Sequence, residues 1–222
     1  MDLYIVATPI GNLEDITLRA IRILGEVDFI LTEDTRVAGK LLSHYKIKKP
    51  LISFHHHSGN DKYLKILKLL KEGKKIALVS DAGTPNISDP GGQLVEFIRE
   101  RMPEANIEPI PGVSAITTAL SVSGIKADKF SFFGFLPHKK GRMTMLKEIL
   151  DYKYPVIFYE SKHRILKLLK DLKEIDFSKK IMIFREMTKM HYSFYNEDID
   201  SLYKKFEQDE NSIKGEFTVI IY

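Results

Sequence analysis

The 222-residue chain contains no cysteine. Disulfides, zinc–thiolate sites and thiol nucleophiles are thereby excluded. No apolar run reaches the roughly 18 residues that a membrane-spanning helix needs. Met1-Asp2 leads straight into Leu3–Ala7, with no basic segment followed by an apolar one. No secretory signal is expected, and the chain reads as cytoplasmic with no membrane association. Internal repeats and low-complexity segments are also lacking. Hydrophobic residues make up 44%, enough for a real core in one large domain or two of about 100 residues each.

Net charge is only +4, but it is unevenly placed. Residues 1–112 hold 15 basic and 15 acidic side chains, whereas Lys126 to Lys189 hold 16 against 8. Residues 191–222 reverse the sign, with 3 against 7. A basic stretch opening the second half fits a polyanionic partner such as RNA. A solvated lysine-rich helix face explains the same count.

Short β-rich runs alternate with amphipathic stretches. Strands are expected at Leu3–Ala7, Asp28–Thr32, Leu51–Phe54, Ile76–Ser80 and Ile107–Ile110, with helices at Ile16–Leu24, Val37–Tyr45, around Tyr63–Leu70 and at Gly92–Arg101. This alternation predicts a mainly parallel, covered sheet. The second half predicts strands at Phe130–Phe135, Val156–Glu160, Ile181–Arg185, His191–Tyr195 and Phe217–Tyr222, and helices over 141–151, 162–173 and 198–206. Little helix separates its last strands, so a mixed sheet is expected there. The fold class is α/β in two domains, 1–112 and 113–222, with Ser114–Ser123 a helix joining them.

Polar residues that break the pattern sit just after strands, at the sheet edge where parallel α/β folds bind ligands. Thr8-Pro9-Ile10-Gly11-Asn12 has one glycine where a dinucleotide fold needs three, which disfavours a nicotinamide or flavin site. Glu33-Asp34-Thr35-Arg36 either faces a ligand or caps the next helix through Asp34 or Thr35. Ser80 to Gly91 is a long βα connection with two aspartates, the kind of loop that binds something. A phosphatase with an aspartate nucleophile would place a second Asp two residues after Asp81, and Gly83 stands there. Pro111-Gly112-Val113-Ser114-Ala115 has Ile116 where a hydrolase nucleophile elbow needs glycine. It reads instead as a helix start with backbone N–H groups facing a ligand, or with Ser114 as a plain cap.

His55, His56 and His57 are consecutive and point apart, so no metal site is expected. In the second half, Phe158 to Arg164 and Arg185 to Lys189 each follow a strand. Glu160 and Glu186 would be costly to bury without partners, for which Arg164, Arg185 and Lys189 are the candidates. Such clusters also suit an anionic substrate, with arginine the preferred phosphate ligand.

Six motifs occur together and in order: Ala7 to Leu13, Glu33 to Arg36, Ser80 to Gly91, Gly134-Phe135-Leu136-Pro137, Phe158 to Arg164, and Arg185-Glu186-x-Thr188-Lys189. The set closely resembles the ribosomal RNA small-subunit methyltransferases of the tetrapyrrole methylase (class III) superfamily, and the match runs from residue 3 to Phe217. That resemblance implies two α/β domains with S-adenosyl-L-methionine in the cleft between them, and a homodimer. It also implies methyl transfer to the ribose 2′-hydroxyl of a cytidine in the decoding region of 16S rRNA, presented as RNA or as the 30S subunit. Tetrapyrrole-modifying relatives carry a glycine-rich first loop that this chain lacks, which favours RNA.

Carried over position by position, the resemblance implies cofactor contacts from Pro9, Asp81, Ala82, Gly83, Thr84, Ser114, Ala115, Tyr159, Arg185 and Phe217. RNA contacts are expected from Arg36, Lys139, Lys140, Arg142, His163 and Arg164. Methyl transfer from a sulfonium needs in-line positioning first, and a base or cation near the ribose oxygen would help. Asp34, Glu186 and Lys189 are the catalytic candidates. Departures from the common pattern are Met187 for leucine, Tyr192 for an acid, and Ser58-Gly59-Asn60 after the histidines. Many relatives continue past the last strand, where this sequence stops at Tyr222; an extension that grips RNA would change affinity. The competing functions are a methyltransferase of a small tetrapyrrole-like substrate and a non-enzymatic ribosome-assembly factor.

Overall fold

A computed structural model describes residues 1–55, 58–89, 91–175 and 177–222. His56 and His57 of the histidine run, and Pro90 of the long loop, lie outside the described residues. The chain divides into two compact units, Met1–Ser114 and Ala115–Tyr222.

The first unit carries strands β1 (Asp2–Val6), β2 (Phe29–Thr32), β3 (Leu51–Ser53), β4 (Ile76–Val79) and β5 (Asn106–Ile110), with helices α1 (Leu18–Glu26), α2 (Thr35–His44), α3 (Asn60–Lys71) and α4 (Gly92–Arg101). All strand pairs are parallel, in the order β3-β2-β4-β1-β5. Ile76, Ala77, Leu78 and Val79 of β4 are all buried because both faces of the sheet are covered. Ala20, Ile23 and Leu24 of α1 and Ala38 and Leu42 of α2 pack on one face. Ile66 and Leu70 of α3 and Leu94 and Ile98 of α4 pack on the other. The chain leaves β1 toward β2 and leaves β4 toward β5, so α1 and α4 lie on opposite faces. Adjacent β1 and β4 thus flank a topological switch point, where open α/β sheets form a ligand crevice at the strands' carboxyl ends.

Sequence periodicity places the first helix from Ile16, but α1 begins at Leu18. Asn12 accepts from the Glu14 N–H and starts a 3₁₀ turn over Leu13–Asp15, and Thr17 then accepts from the Ala20 N–H at 3.1 Å as the N-cap. Ile16 keeps its apolar role by packing on that core from outside the helix.

The second unit carries α5 (Ala115–Ser123), β6 (Ser131–Phe135), α6 (Arg142–Asp151), β7 (Val156–Ser161), α7 (Ile165–Lys173), β8 (Ile181–Arg185), β9 (Ser193–Tyr195), α8 (Ile199–Gln208) and β10 (Glu216–Ile221). Its sheet is mixed, as the sequence predicts: order β6-β7-β10-β8-β9, with β6–β7 parallel and the other pairs antiparallel. Val156, Phe158, Phe217, Val219, Ile181 and Ile183 face a core completed by α6, α7 and α8. The alternate residues face the other side, where α5 meets β10. Among the described residues no helix is long and apolar enough to cross a membrane.

Candidate functional site

In the first unit the loops after β1 and β4 are tied together at the switch point. Thr8 and Gly83 exchange two backbone hydrogen bonds, Thr8 N–H to Gly83 O at 2.9 Å and Gly83 N–H to Thr8 O at 3.0 Å. The buried Thr8 hydroxyl donates to Ser80 O at 3.2 Å, and Thr84 Oγ1 donates to Val113 O at 3.0 Å. Asp81 Oδ1 accepts from the Asp34 N–H at 3.1 Å, linking the loops after β4 and β2. Residues far apart in sequence thereby become one rigid rim.

Gly83 has φ +81°, and a Cβ there would lie 3.3 Å from Ile10 Cγ2. Asn86 and Ser88 also have positive φ, 75° and 68°. Left-handed non-glycine residues are uncommon and gather at ligand-binding loops. Pro9 and Gly83 are buried, Thr84 is half-buried, and Asp81 and Ala82 are exposed at the rim. Burial together with the neighbouring Glu33 and Asp81 carboxylates pushes Asp89 up to about 6. The rim is acidic and suits a ligand carrying positive charge.

Asp34 is occupied. Its Oδ1 accepts from the Arg36 N–H at 2.8 Å as the cap of α2, and both carboxylate oxygens accept from the Arg36 guanidinium, the shortest bond being 2.6 Å. The Arg36 side chain and N–H hold Asp34 at about 2. A carboxylate that acidic is a weak proton acceptor near neutral pH, and its observed role is to cap α2 and pair with Arg36. Arg36 itself is exposed and stays open to an anion.

In the second unit, the turn after β8 holds Glu186 at φ 54° and Thr188 at φ 65°. Lys189 Nζ donates to Glu186 Oε1 at 2.9 Å and to Glu216 Oε2 at 2.7 Å, and Glu186 Oε1 also accepts from the Glu216 N–H at 2.8 Å. Burial works against the charge on both side chains, but the ion pairs outweigh it. Glu186 is left below its ordinary pKa and Lys189 above its own. Glu186 is thus held in its charged form against the Lys189 cation. Arg185 donates to the Lys214 and His191 carbonyls, and its charge also favours the Glu186 carboxylate, as expected.

This turn depends on Gly215. Its φ is +104°, and a Cβ would lie 2.5 Å from Glu186 Cγ. Gly215→Ala is expected to cost about 1–3 kcal/mol through backbone strain and to drive Glu186 away from Lys189. Urea denaturation measures this, and an unchanged midpoint would show that the turn rearranges without cost.

Burial bears on two further expected contacts. Arg142, read as an RNA contact, has a side chain only 2% exposed. Its Nε donates to Asp171 at 2.7 Å and its Nη1 to Glu160 at 3.1 Å. Arg164 completes the network, 2.7 Å from the other Glu160 oxygen. The Phe217 side chain belongs to the core and packs near Phe206, which leaves only its backbone for the expected cofactor contact. Lys139, Lys140 and His163 are exposed, Tyr159 is half-buried on β7, and Ser114 and Ala115 stand at the start of α5. Thr8 and Asp89 lie in the two loops that the sequence marks for a ligand, but their individual parts, the Thr8–Gly83 bridge and the raised Asp89 pKa, come only with the fold.

The family model for Tetrapyrrole (Corrin/Porphyrin) Methylases matches residues 2–202. A "Ribosomal RNA small subunit methyltransferase I" of Thermotoga maritima is 48% identical over 219 residues, covering 99% of this chain and 97% of the relative. Proteins of that name from Haemophilus influenzae and Escherichia coli O157:H7 are 47% and 45% identical, each covering 99% of this chain and 77% of the relative. Among solved structures, a cobalt precorrin-4 methyltransferase of cobalamin biosynthesis superposes with TM-score 0.70 at 17% identity, covering 99% of this chain and 94% of that one. Diphthine synthase superposes with TM-score 0.75 at 10% identity, covering 100% and 90%. At such identities the two structures share the fold.

Proposed function

The chain belongs to the tetrapyrrole methylases and, within them, to the ribosomal RNA small subunit methyltransferase I family, and from that premise we propose that it methylates the ribose 2′-hydroxyl of a cytidine in 16S rRNA. It is a methyltransferase, and S-adenosyl-L-methionine supplies the methyl group already activated on a sulfonium. Near-full-length identity of 43–48% to proteins carrying one name is the observation that carries this reading.

The residues at the switch point fit such a donor. The Thr8–Gly83 bridge and the positive φ of Gly83 bring backbone close to whatever occupies the crevice. The carboxylates of Glu33, Asp81 and Asp89 give the rim a negative potential that complements a cationic ligand. Pro9 and Asp81 to Thr84 are the proposed holding residues, with Ser114, Ala115, Tyr159 and Arg185 as further proposed contacts. With Asp34 and Glu186 both held below their ordinary pKa values, no base among the candidates is poised for the hydroxyl proton. Lys189 is the proposed stabilising cation at the ribose oxygen, and orientation carries most of the rate. Arg36, Lys139, Lys140, His163 and Arg164 are the proposed contacts to RNA. The working enzyme is proposed to be a cytoplasmic homodimer acting on 16S rRNA, naked or in the 30S subunit.

Incubation of the full chain with methyl-labelled donor and unmodified 30S subunits, beside naked 16S rRNA, tests the reading. Label in rRNA that protects one phosphodiester from alkaline cleavage is expected, because the 2′-oxygen there is blocked. Label only in a tetrapyrrole acceptor, or donor binding without transfer to either RNA form, would overturn it.

A further inference from the structure

Strand β6 lies at the edge of the second sheet, and its alternation fails at Gly134. Gly134 has φ 60°, and the pairing with β7 shifts register between Phe132 and Phe135. In an unbroken strand, residues three apart point to opposite faces. Here Phe132 and Phe135 both reach the Tyr159 ring, with centroids 5.0 and 5.5 Å away. Phe133 goes to the other face and packs against the core beside Tyr152. The bulge therefore turns Phe135 out of the core, and it is 50% exposed.

One exposed phenylalanine needs no explanation. This one is held from two directions. Tyr159 contacts the ring, and the Arg164 guanidinium carbon lies 5.7 Å from its centroid. Arg164 is itself fixed, donating to Leu136 O at 2.8 Å and lying 2.7 Å from the fully buried Glu160 carboxylate. The ring is thus pre-positioned before any partner arrives, which lowers the entropic cost of using it. Lys139 and Lys140 follow Phe135 by four and five residues, Lys162 stands two residues before Arg164, and all three are exposed. A fixed, half-exposed aromatic ring with a guanidinium against it, on a stretch rich in exposed lysines, suits single-stranded nucleic acid: bases stack, and cations neutralise the backbone.

We propose that Phe135 is a stacking platform for an unpaired RNA base, with Lys139, Lys140 and Lys162 meeting the adjoining phosphates. The inference rests on the proposed function and adds a specific point of contact on the RNA. Stacking accepts any base, so the platform grips the strand near the target without selecting the nucleotide.

The chain contains no tryptophan, so Phe135→Trp places a single fluorescent reporter on the platform. A short single-stranded oligoribonucleotide is expected to quench its emission, less so as salt rises. Phe135→Ala is expected to raise Kd for the oligonucleotide, and KM for 30S subunits, about 5- to 150-fold, the equivalent of one lost stack. Affinity for S-adenosyl-L-methionine, which reports folding and the seat of Tyr159 that Phe132 still contacts, should change far less than affinity for RNA, and the tryptophan variant should remain within a few-fold of wild type throughout. Unquenched tryptophan together with unchanged Kd and KM in the alanine variant would overturn the platform. So would a change confined to self-association on sedimentation, which would make this face a contact between copies. Quenching by RNA in a protein that never methylates RNA would support the platform and overturn the proposed function, so the two fail separately.

Discussion

Arg142→Leu is expected to destabilise the second unit by about 3–5 kcal/mol, the usual cost of removing one partner from a buried ion pair. For a unit of about 100 residues this is a fall in Tm of more than about 10 °C. The substitution leaves Asp171 buried without its cation, while Glu160 retains Arg164. Arg142→Leu combined with Asp171→Leu removes both charges, and its midpoint should return most of the way to wild type. Arg142 Nη2 is buried without a hydrogen-bond partner, so the native network is itself incompletely satisfied, which favours that recovery. Scanning calorimetry on the single and double variants decides it. A single variant within 1 kcal/mol of wild type would show that desolvation already cancels the attraction.

Asp81→Ala is expected to weaken S-adenosyl-L-methionine binding about tenfold or more, the effect of losing one hydrogen bond to a charged group. The change removes a carboxylate from the proposed donor site and releases the Asp34 N–H from Asp81 Oδ1, so the loops after β2 and β4 lose their link. Calorimetric titration measures it, and an affinity equal to wild type would remove Asp81 from the site. The same titration has a pH signature. Asp89 titrates at about 6, first because it is buried and then because Glu33 and Asp81 are near. A positively charged ligand favours the ionised form, so affinity should fall as pH drops from 7.5 through 6. The unliganded fold responds with the opposite sign. A carboxyl whose folded pKa is raised contributes stability below its ordinary pKa near 4, and that contribution is lost as pH rises through about 6. Asp89→Asn should flatten both dependences. A wild-type affinity constant between pH 5.5 and 7.5 would mean that Asp89 does not sense the ligand.

Much of this protein follows from local sequence. Apolar β-branched runs alternating with amphipathic stretches specify the parallel sheet, because strand and helix periods are set by neighbours two to four residues away. The thin helical spacing between the last strands specifies the mixed second sheet. The polar breaks after Ala7, Thr32, Val79 and Phe184 mark the loops, since such groups cannot lie in a covered sheet without partners. Single residues exclude whole chemistries: Gly83 where a phosphatase needs aspartate, and Ile116 where a hydrolase needs glycine.

What each charged side chain does was decided only by the tertiary structure. Lys139, Lys140 and Arg142 are nearly adjacent in a basic stretch, yet the first two face water and Arg142 is buried among acids from β7 and α7. Burial depends on partners 18 and 29 residues away, which no local period encodes. Asp34 reads equally as cap or catalyst until its oxygens are seen bound to Arg36. The Gly134 bulge that exposes Phe135, and the Thr8–Gly83 bridge across 75 residues, are products of strand pairing. Local propensity determines which elements form, whereas electrostatic and packing roles arise only when elements distant in sequence meet in a low-dielectric interior.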